Sequence, residues 1–195
     1  MIGNYTCNLY NPCQPGRYCP EGSENESLCP VSTYQPFTLA KDETECRPCP
    51  SGYYCDIEGL SNPKDCVGGF FCPFNSTNFI DEPCPPGTYS QSPNLRSAPE
   101  CGLCDSGKFC SGIISGNVVA APVDCAAGSY CTLGSKTEDH TVACDLTVDE
   151  IPGITCAQIC PLGAYCPQGT VKFHYFFYRL FLSTFSKLFF LRFNF

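Results

Sequence analysis

The chain of 195 residues contains 19 cysteines but only two histidines, a composition that indicates a disulfide scaffold and excludes one large apolar core. The net charge of −8 is uneven, because residues 1–170 hold all 19 acidic residues against seven Lys and Arg (7 − 19 = −12), whereas residues 171–195 hold four cations. An acidic surface of this kind excludes nucleic acid as a partner, since phosphate binding needs basic side chains.

A seven-residue motif, C-x-x-G-x-[YF]-C, recurs along the chain, and we call each copy a unit with positions 1 to 7. Glycine at position 4 permits positive φ and predicts a tight turn, while the aromatic side chain at position 6 covers the neighbouring sulfur. Full units begin at Cys13, Cys49, Cys66, Cys104, Cys125 and Cys160, and units without the second cysteine begin at Cys29 and Cys84. The pattern predicts a small disulfide-rich fold, an elongated tandem array of short irregular β-hairpins and loops with little helix before residue 171.

The cysteines also repeat with a longer period of 55 residues. The set that begins at Cys29 is spaced 17, 3, 6, 11 and 6, and the set that begins at Cys84 is spaced 17, 3, 6, 15 and 6. In chain order this predicts a partial repeat in 1–28, complete six-cysteine repeats in 29–83 and 84–143, a truncated repeat in 144–170, and a separate tail in 171–195. Because both ends fall inside a repeat, we expect the chain to be part of a longer protein.

An extracellular or cell-surface location follows from the disulfides, which persist only in oxidising compartments. Three N-x-[ST] sequons are consistent with that location and predict glycosylation at Asn4, Asn25 and Asn75. The first residues lack a basic segment followed by an apolar one, so there is no signal peptide in this stretch and we expect the true start to lie upstream.

The motifs resemble the ephrin-receptor-like cysteine-rich repeat of extracellular proteins. Cys84-Pro-Pro-Gly-Thr-Tyr-Ser, Cys101-x-x-Cys104 and Gly107-Lys-Phe-Cys110 carry this resemblance, and the stretch from Cys29 to Cys49 matches the same pattern with Ser32 in place of glycine. The order of six cysteines is also similar to the tumour-necrosis-factor-receptor type of module. The resemblance covers roughly residues 7–170 and implies an extracellular module without indicating a ligand.

The receptor-type module further implies a disulfide pairing of first with second, third with fifth and fourth with sixth cysteine. The implied pairs are Cys29–Cys46, Cys49–Cys66, Cys55–Cys72, Cys84–Cys101, Cys104–Cys125, Cys110–Cys131 and Cys144–Cys156. This scheme leaves Cys13, Cys160 and Cys166 without partners, and it allows Cys7 to pair with Cys19. Here six residues separate the third and fourth cysteines, which departs from the receptor spacing.

Three kinds of residue could in principle form a metal, redox or catalytic site. The C-x-x-C pairs Cys46/Cys49 and Cys101/Cys104 suit structural disulfides better than zinc or redox sites, because they lie 55 residues apart and no α/β pattern surrounds them. The acidic stretches Asp42–Glu45, Asp81–Glu82 and Asp149–Glu150 match no calcium loop and are expected to be solvated surface. His140 lacks a nucleophile or metal partner at a recognisable spacing, so we interpret it as an exposed loop residue. We expect no metal, no cofactor and no catalytic residue.

The tail differs abruptly from the rest, with nine Phe and no Cys, Gly or Pro in residues 171–195. Its apolar residues nearly balance the cost of Lys187, Arg179 and Arg192 in a bilayer, so membrane insertion is undecided on the sequence. A helix lying in a membrane interface fits the spacing from Phe173 to Phe189, and a mispredicted exon or retained intron fits the abrupt change.

These observations predict a non-enzymatic extracellular module of a larger surface or secreted protein. Its role would be that of a structural spacer, an adhesion element or a protein-binding ectodomain, with an unknown protein or cell-surface ligand as partner. Two alternatives stay open: the ectodomain part of a receptor kinase, and an intracellular zinc-binding cysteine array.

Overall fold

The computed structural model describes residues 12–175 except 113, 116, 117, 142, 143, 145, 147–150, 163 and 173. Within these residues every strand has two residues. Two 3₁₀ helices are present, Glu43–Glu45 and Ala98–Glu100, and there is no α-helix. The strands are β1 (Arg17–Tyr18), β2 (Ser27–Leu28), β3 (Thr33–Tyr34), β4 (Arg47–Pro48), β5 (Tyr53–Tyr54), β6 (Lys64–Asp65), β7 (Thr88–Tyr89), β8 (Gly102–Leu103), β9 (Lys108–Phe109), β10 (Ile114–Ser115), β11 (Val118–Val119), β12 (Val123–Asp124), β13 (Ser129–Tyr130), β14 (Gln158–Ile159), β15 (Ala164–Tyr165) and β16 (His174–Tyr175). The predicted disulfide-rich array of small hairpins with little helix is confirmed.

Most hairpins join two consecutive units, and β10–β11 is an exception that lies between two units. Positions 5 and 6 of a unit form one strand, and the two residues directly before the first cysteine of the next unit form its antiparallel partner. The pairs of this kind are β1 with β2, β3 with β4, β5 with β6, β7 with β8, β9 with β12 and β13 with β14, and β15 pairs in the same way with β16. The unit at Cys66 has a single bridge instead, between Phe70 and Pro83.

In the seven units whose position 4 is described, that residue makes backbone hydrogen bonds to the next unit. Gly52 accepts from the N–H of Cys66 (3.1 Å) and donates to the carbonyl of Cys72 (2.7 Å). The first bond recurs at Gly16–Cys29, Ser32–Cys49, Gly69–Cys84, Gly87–Cys104, Gly107–Cys125 and Gly128–Cys160, and the second at Gly16–Gln35, Ser32–Cys55, Gly87–Cys110, Gly107–Cys131 and Gly128–Cys166. Because these bonds use only backbone atoms, the same stacking geometry recurs between units that differ in side chains at positions 2, 3 and 5.

A second turn, which the sequence analysis missed, follows shortly after position 7 of each unit. Its central residue has positive φ, at Gly22, Leu39, Gly59, Asn75, Asn94, Gly112, Gly134 and Gly169. Six of these residues donate to the position-1 carbonyl of the preceding unit: Leu39 to Cys13, Gly59 to Cys29, Asn75 to Cys49, Asn94 to Cys66, Gly134 to Cys104 and Gly169 to Cys125. Two turns per unit therefore satisfy the backbone groups that such short strands leave unpaired.

In several units a second constraint besides positive φ favours glycine at position 4. A Cβ atom on Gly52 (φ 89°) would lie 2.7 Å from the carbonyl oxygen of Asn94, which belongs to the second turn two units further along. The same close approach joins Gly87 to Gly134 and Gly107 to Gly169. Each unit thus contacts its neighbour through hydrogen bonds and the unit after that through backbone packing.

Nine disulfides join eighteen of the nineteen cysteines, and Cys7 lies outside the described residues. Three pairs agree with the receptor-type scheme: Cys29–Cys46, Cys84–Cys101 and Cys144–Cys156. The other six close single units from position 1 to position 7: Cys13–Cys19, Cys49–Cys55, Cys66–Cys72, Cys104–Cys110, Cys125–Cys131 and Cys160–Cys166.

The rest of the receptor-type pairing is wrong. Cys49–Cys66, Cys55–Cys72, Cys104–Cys125 and Cys110–Cys131 do not form, Cys13, Cys160 and Cys166 are not left unpaired, and Cys19 has Cys13 as its partner instead of Cys7. The physical reason lies in the turn at position 4, which reverses the chain and brings the Cα atoms of Cys49 and Cys55 to 6.0 Å. That separation is the ordinary distance for a disulfide.

The largest apolar cluster lies around Phe70, which is fully buried with Cys66, Cys72 and Val119. The ring of Phe79 packs edge-on against Phe70, with centroids 5.5 Å apart. Val119 reaches this cluster from the hairpin β10–β11, which lies in the segment between Cys110 and Cys125 that is longer than its counterpart 55 residues earlier. Val119 of this longer segment therefore covers the unit at Cys66 with an apolar side chain.

The 55-residue period has a structural counterpart at two equivalent places. The 3₁₀ helices Glu43–Glu45 and Ala98–Glu100 precede Cys46 and Cys101, and the carboxylates of Glu45 and Glu100 accept from the N–H groups of Lys41 (2.8 Å) and Arg96 (2.9 Å). The proposed domain limits stay a prediction.

Of the predicted tail, only residues 171, 172, 174 and 175 are described, and His174–Tyr175 form β16. The membrane-insertion, interfacial-helix and mispredicted-exon interpretations of residues 176–195 lie outside the described residues. Within the described ranges, no helix is long and apolar enough to cross a bilayer.

Candidate functional site

The cysteines offer no metal site in the part of the chain that the structure describes. The one group of three possible ligands found there is Cys13, Cys19 and Glu26, and both of its cysteines form a disulfide. In the C-x-x-C pair Cys46/Cys49 the sulfurs bond to Cys29 and Cys55, so neither is a thiolate. Because zinc binds the thiolate form of cysteine, these disulfides contradict the zinc-array alternative for the described cysteines.

His140 has a partner that the sequence analysis missed. Its Nδ1 atom lies 2.8 Å from the hydroxyl of Ser129, and its backbone N–H donates to the same hydroxyl at 3.2 Å. The imidazole is exposed, as expected of a loop residue, and its partner Ser129 lies eleven residues earlier, a spacing that marks no catalytic or metal-binding motif. Ser129 is fully buried, so its hydroxyl is out of reach of a substrate and the pair serves to satisfy a buried polar group.

The described acidic side chains either cap a 3₁₀ helix or are exposed to solvent. Asp42 caps the helix Glu43–Glu45 by accepting from the N–H of Thr44 at 2.9 Å. The hydrogen bond from the Thr44 hydroxyl, with this backbone bond, lowers the pKa of the Asp42 carboxyl below its usual range. Asp81 and Glu82 are exposed. Asp149 and Glu150 lie outside the described residues.

Ion pairs occupy the outer face of three hairpins among the described residues. Arg17 pairs with Glu26 at 3.0 Å, Lys64 with Asp56 at 2.7 Å and Lys108 with Asp124 at 2.7 Å. The hydrogen bond to Asp56 raises the pKa of the Lys64 ammonium group. Since all three pairs are accessible to water, each contributes little to stability.

Two of the three predicted glycosylation sites lie on described surface. Asn25 is exposed in the loop that joins β1 to β2, and Asn75 is exposed at the centre of a second turn; Asn4 lies outside the described residues. The turn at Asn75 is held by backbone atoms and by the Ser76 hydroxyl, which donates to the carbonyl of Pro73 at 2.8 Å. The side-chain amide of Asn75 therefore points into solvent without a role in the stacking.

A cleft of about 280 Å³ borders Asn75 and is lined by residues 73–78 together with Asp81 and Glu82. Its apolar lining residues are Pro73 and Phe74, of which Phe74 is 59% exposed, and its other lining residues are polar or acidic. It combines one exposed ring with several hydrogen-bonding groups, the composition that suits a small polar ligand with an apolar face.

No family model matches the chain. Among curated proteins it is 30% identical over 138 residues to "ABC transporter G family member 25" of Oryza sativa subsp. japonica, covering 66% of this chain and 12% of that protein. It is 29% identical over 136 residues to "Cysteine repeat modular protein A" of Toxoplasma gondii, covering 66% of this chain and 4% of that protein. It is 31% identical over 114 residues to "Tumor necrosis factor receptor superfamily member 14" of Homo sapiens, covering 49% and 38%.

The chain thus spans well under two thirds of the length of the curated relatives it matches. Two of these relatives are named for cysteine repeats or for a receptor that resembles the module noted above. Together with the nine disulfides, these similarities show a chain of cysteine-rich repeats.

Proposed function

We propose that the chain is an extracellular or cell-surface, non-enzymatic segment of a larger protein, and that it serves as a stiff spacer that presents neighbouring parts to a protein or cell-surface ligand. The observation that carries this proposal is the regular backbone ladder between consecutive units, in which position 4 of one unit bonds to positions 1 and 7 of the next. A repeat array in which each unit contacts only near neighbours has an elongated shape.

The disulfides support an oxidising location. Six of them join cysteines only six positions apart, and thirteen of the described cysteines have relative exposures of 3% or less, which suits permanent structural bonds. A small domain without a large core depends on such bonds, which reducing cytosol removes. The relatives named for a receptor and for cysteine repeats favour the same location.

A non-enzymatic role is favoured by the burial of Ser129 in the Ser129–His140 pair and by the exposed position of the acidic side chains. The finer assignment to ephrin-receptor-like repeats rests on the Cys84-Pro-Pro-Gly-Thr-Tyr-Ser motif, and it remains part of this proposal. A receptor enzyme that carries the segment outside the membrane is compatible with the same spacer role, as is a membrane contact through residues 171–195.

Distance measurements within the oxidised chain test the spacer role. Fluorophores placed through non-natural amino acids at the exposed positions Glu21 and Gln168 avoid the cysteines. We expect one narrow distance distribution by single-molecule energy transfer, and a broad one after a dithiol reductant is added. A broad distribution before reduction would contradict the spacer. Thiols that react in the native chain and zinc released with them would contradict the extracellular location.

A further inference from the structure

The turn around Asn75 is built so that a large group on the Asn75 side chain would leave the stack intact. Asn75 donates its N–H to Cys49 at 2.9 Å, and the next carbonyl, of Ser76, accepts from Cys55 at 2.9 Å. These bonds use the backbone alone. The side chain of Asn75 and that of Thr77, the hydroxyl residue of the sequon, are both exposed.

The cleft beside Asn75 matches the chemistry of a single sugar residue. The ring of Phe74 offers an apolar face to the C–H groups of a pyranose, and Asp81 and Glu82 offer carboxylate oxygens to hydroxyl and acetamide N–H donors. Drug-sized ligands use pockets of about 300–1,000 Å³. A cleft of about 280 Å³ lies at the lower end of that range, which suits a ligand as small as one sugar residue.

We propose that Asn75 carries an N-linked glycan and that its first N-acetylhexosamine lies in this cleft, against Phe74. The proposal rests on the extracellular location proposed above. In the transfer step, Asn75 Nδ2 forms a bond to the anomeric carbon of a lipid-diphosphate-linked oligosaccharide. The bond from that carbon to the diphosphate oxygen breaks, the lipid diphosphate leaves, and the amide nitrogen loses one proton.

Asn25 provides an internal comparison, because it is an exposed sequon residue that does not line this cleft. Its neighbour Glu26 is engaged by Arg17 and by the N–H of Gln14 at 2.9 Å. A glycan on Asn25 would extend from the β1–β2 loop into solvent, whereas the glycan on Asn75 would be partly covered.

The first experiment measures occupancy. The full chain is secreted from eukaryotic cells with an added leader and analysed by mass spectrometry. Two variants are compared with it: Thr77→Val removes the sequon of Asn75 and Ser27→Ala removes that of Asn25, and both keep the asparagines. We expect Thr77→Val to remove one glycan and Ser27→Ala to leave the Asn75 glycan in place. A secreted chain with all nine disulfides formed but without sugar at Asn75 overturns this proposal alone, whereas a retained chain whose paired cysteines react as thiols overturns the proposed location.

The second experiment measures how strongly the cleft protects the Asn75 glycan from an enzyme. Under native conditions, we expect peptide-N-glycosidase to release the Asn75 glycan about tenfold more slowly than the Asn25 glycan, corresponding to about 1.4 kcal/mol of protection. Phe74→Ala should bring the two rates together. Phe37→Ala is the matched control, since Phe37 is 58% exposed in another second turn, and it should change neither rate. Equal rates in the native chain, or slow release that persists in Phe74→Ala, would overturn the proposed contact.

Discussion

The carbonyl oxygen of Asn94 lies 2.7 Å from the point where a side chain on Gly52 would begin. Gly128 occupies the same position of its unit with the same φ of 89°, but nothing lies within 4 Å of its Cβ site. Both positions therefore favour glycine because of their backbone conformation, but only Gly52 also needs glycine because a side chain would clash with a neighbouring turn.

Alanine substitutions at these two glycines should have unequal effects. Gly128→Ala should cost only the left-handed backbone penalty, about 1–2 kcal/mol. Gly52→Ala should cost about 1–3 kcal/mol more, since it also forces the turn at Asn94 away. Thermal unfolding of the oxidised chain by calorimetry measures the difference. Equal shifts in melting temperature would contradict the close packing.

The disulfide pairing can be tested with trypsin on the unreduced, denatured chain. Cleavage after Lys41, Lys64 and Arg96 gives peptides 42–64 and 65–96, because Arg47 precedes proline and is not cut. The observed pairing keeps Cys49–Cys55 and Cys66–Cys72 within their own peptides, so the two peptides should separate without reduction. Peptide 42–64 should instead be linked to peptide 18–41 through Cys29–Cys46. A bond between 42–64 and 65–96 would restore the receptor-type scheme.

Two adjacent valines test the cover formed by β10–β11. Val119 is 3% exposed and packs with Phe70, whereas Val118 is 63% exposed. Val119→Ala should destabilise the oxidised chain by about 1–3 kcal/mol because it opens a cavity in the core. Val118→Ala should change stability by no more than about 0.5 kcal/mol. The measurement is urea denaturation monitored by tyrosine fluorescence, and equal midpoints for the two variants would contradict this packing.

The Asp42 cap predicts a local pH dependence. The pKa of Asp42 is lowered in the folded chain by its hydrogen bonds to Thr44, so its stabilising contribution is present above the pKa of unfolded Asp. It is lost as the pH falls through the lower, folded value. A ¹³C NMR titration of the carboxyl should show this lowered midpoint, and Thr44→Ala should move it back towards the ordinary value. An unchanged midpoint in Thr44→Ala would contradict the hydrogen bond from the Thr44 hydroxyl as the main cause of the lowered pKa.

The unit and its hairpin could be predicted from the sequence because their cause is local. Glycine at position 4 and an aromatic residue at position 6 mark the turn in Cys49–Cys55 and its full copies. The pairing of Cys49 could have been read from the same local turn, since the reversal at Gly52 places positions 1 and 7 together. The pairing implied by the receptor-type module differs, because that module has another spacing between its third and fourth cysteines.

The second turn was harder to find because no single residue type marks it. Asn75, Asn94 and five glycines suit positive φ, but Leu39 also adopts it (φ 71°). A Gly or Asn shortly past position 7 was the available signal. The contacts of Ser129 with His140 and of Val119 with Phe70 had no such signal, since they depend on how a hairpin folds back in space.

The six-residue separation of most disulfides has a consequence for biosynthesis. A staple such as Cys49–Cys55 needs only its own seven residues, and chain loops of this size close in about 10–100 ns whereas synthesis adds about 5–20 residues per second. Each pair of thiols therefore meets many times before the next unit emerges. Oxidation can proceed vectorially, with few competing thiols present at any moment, so a chain with many cysteines can reach its bonded form without an extensive search among wrong pairings.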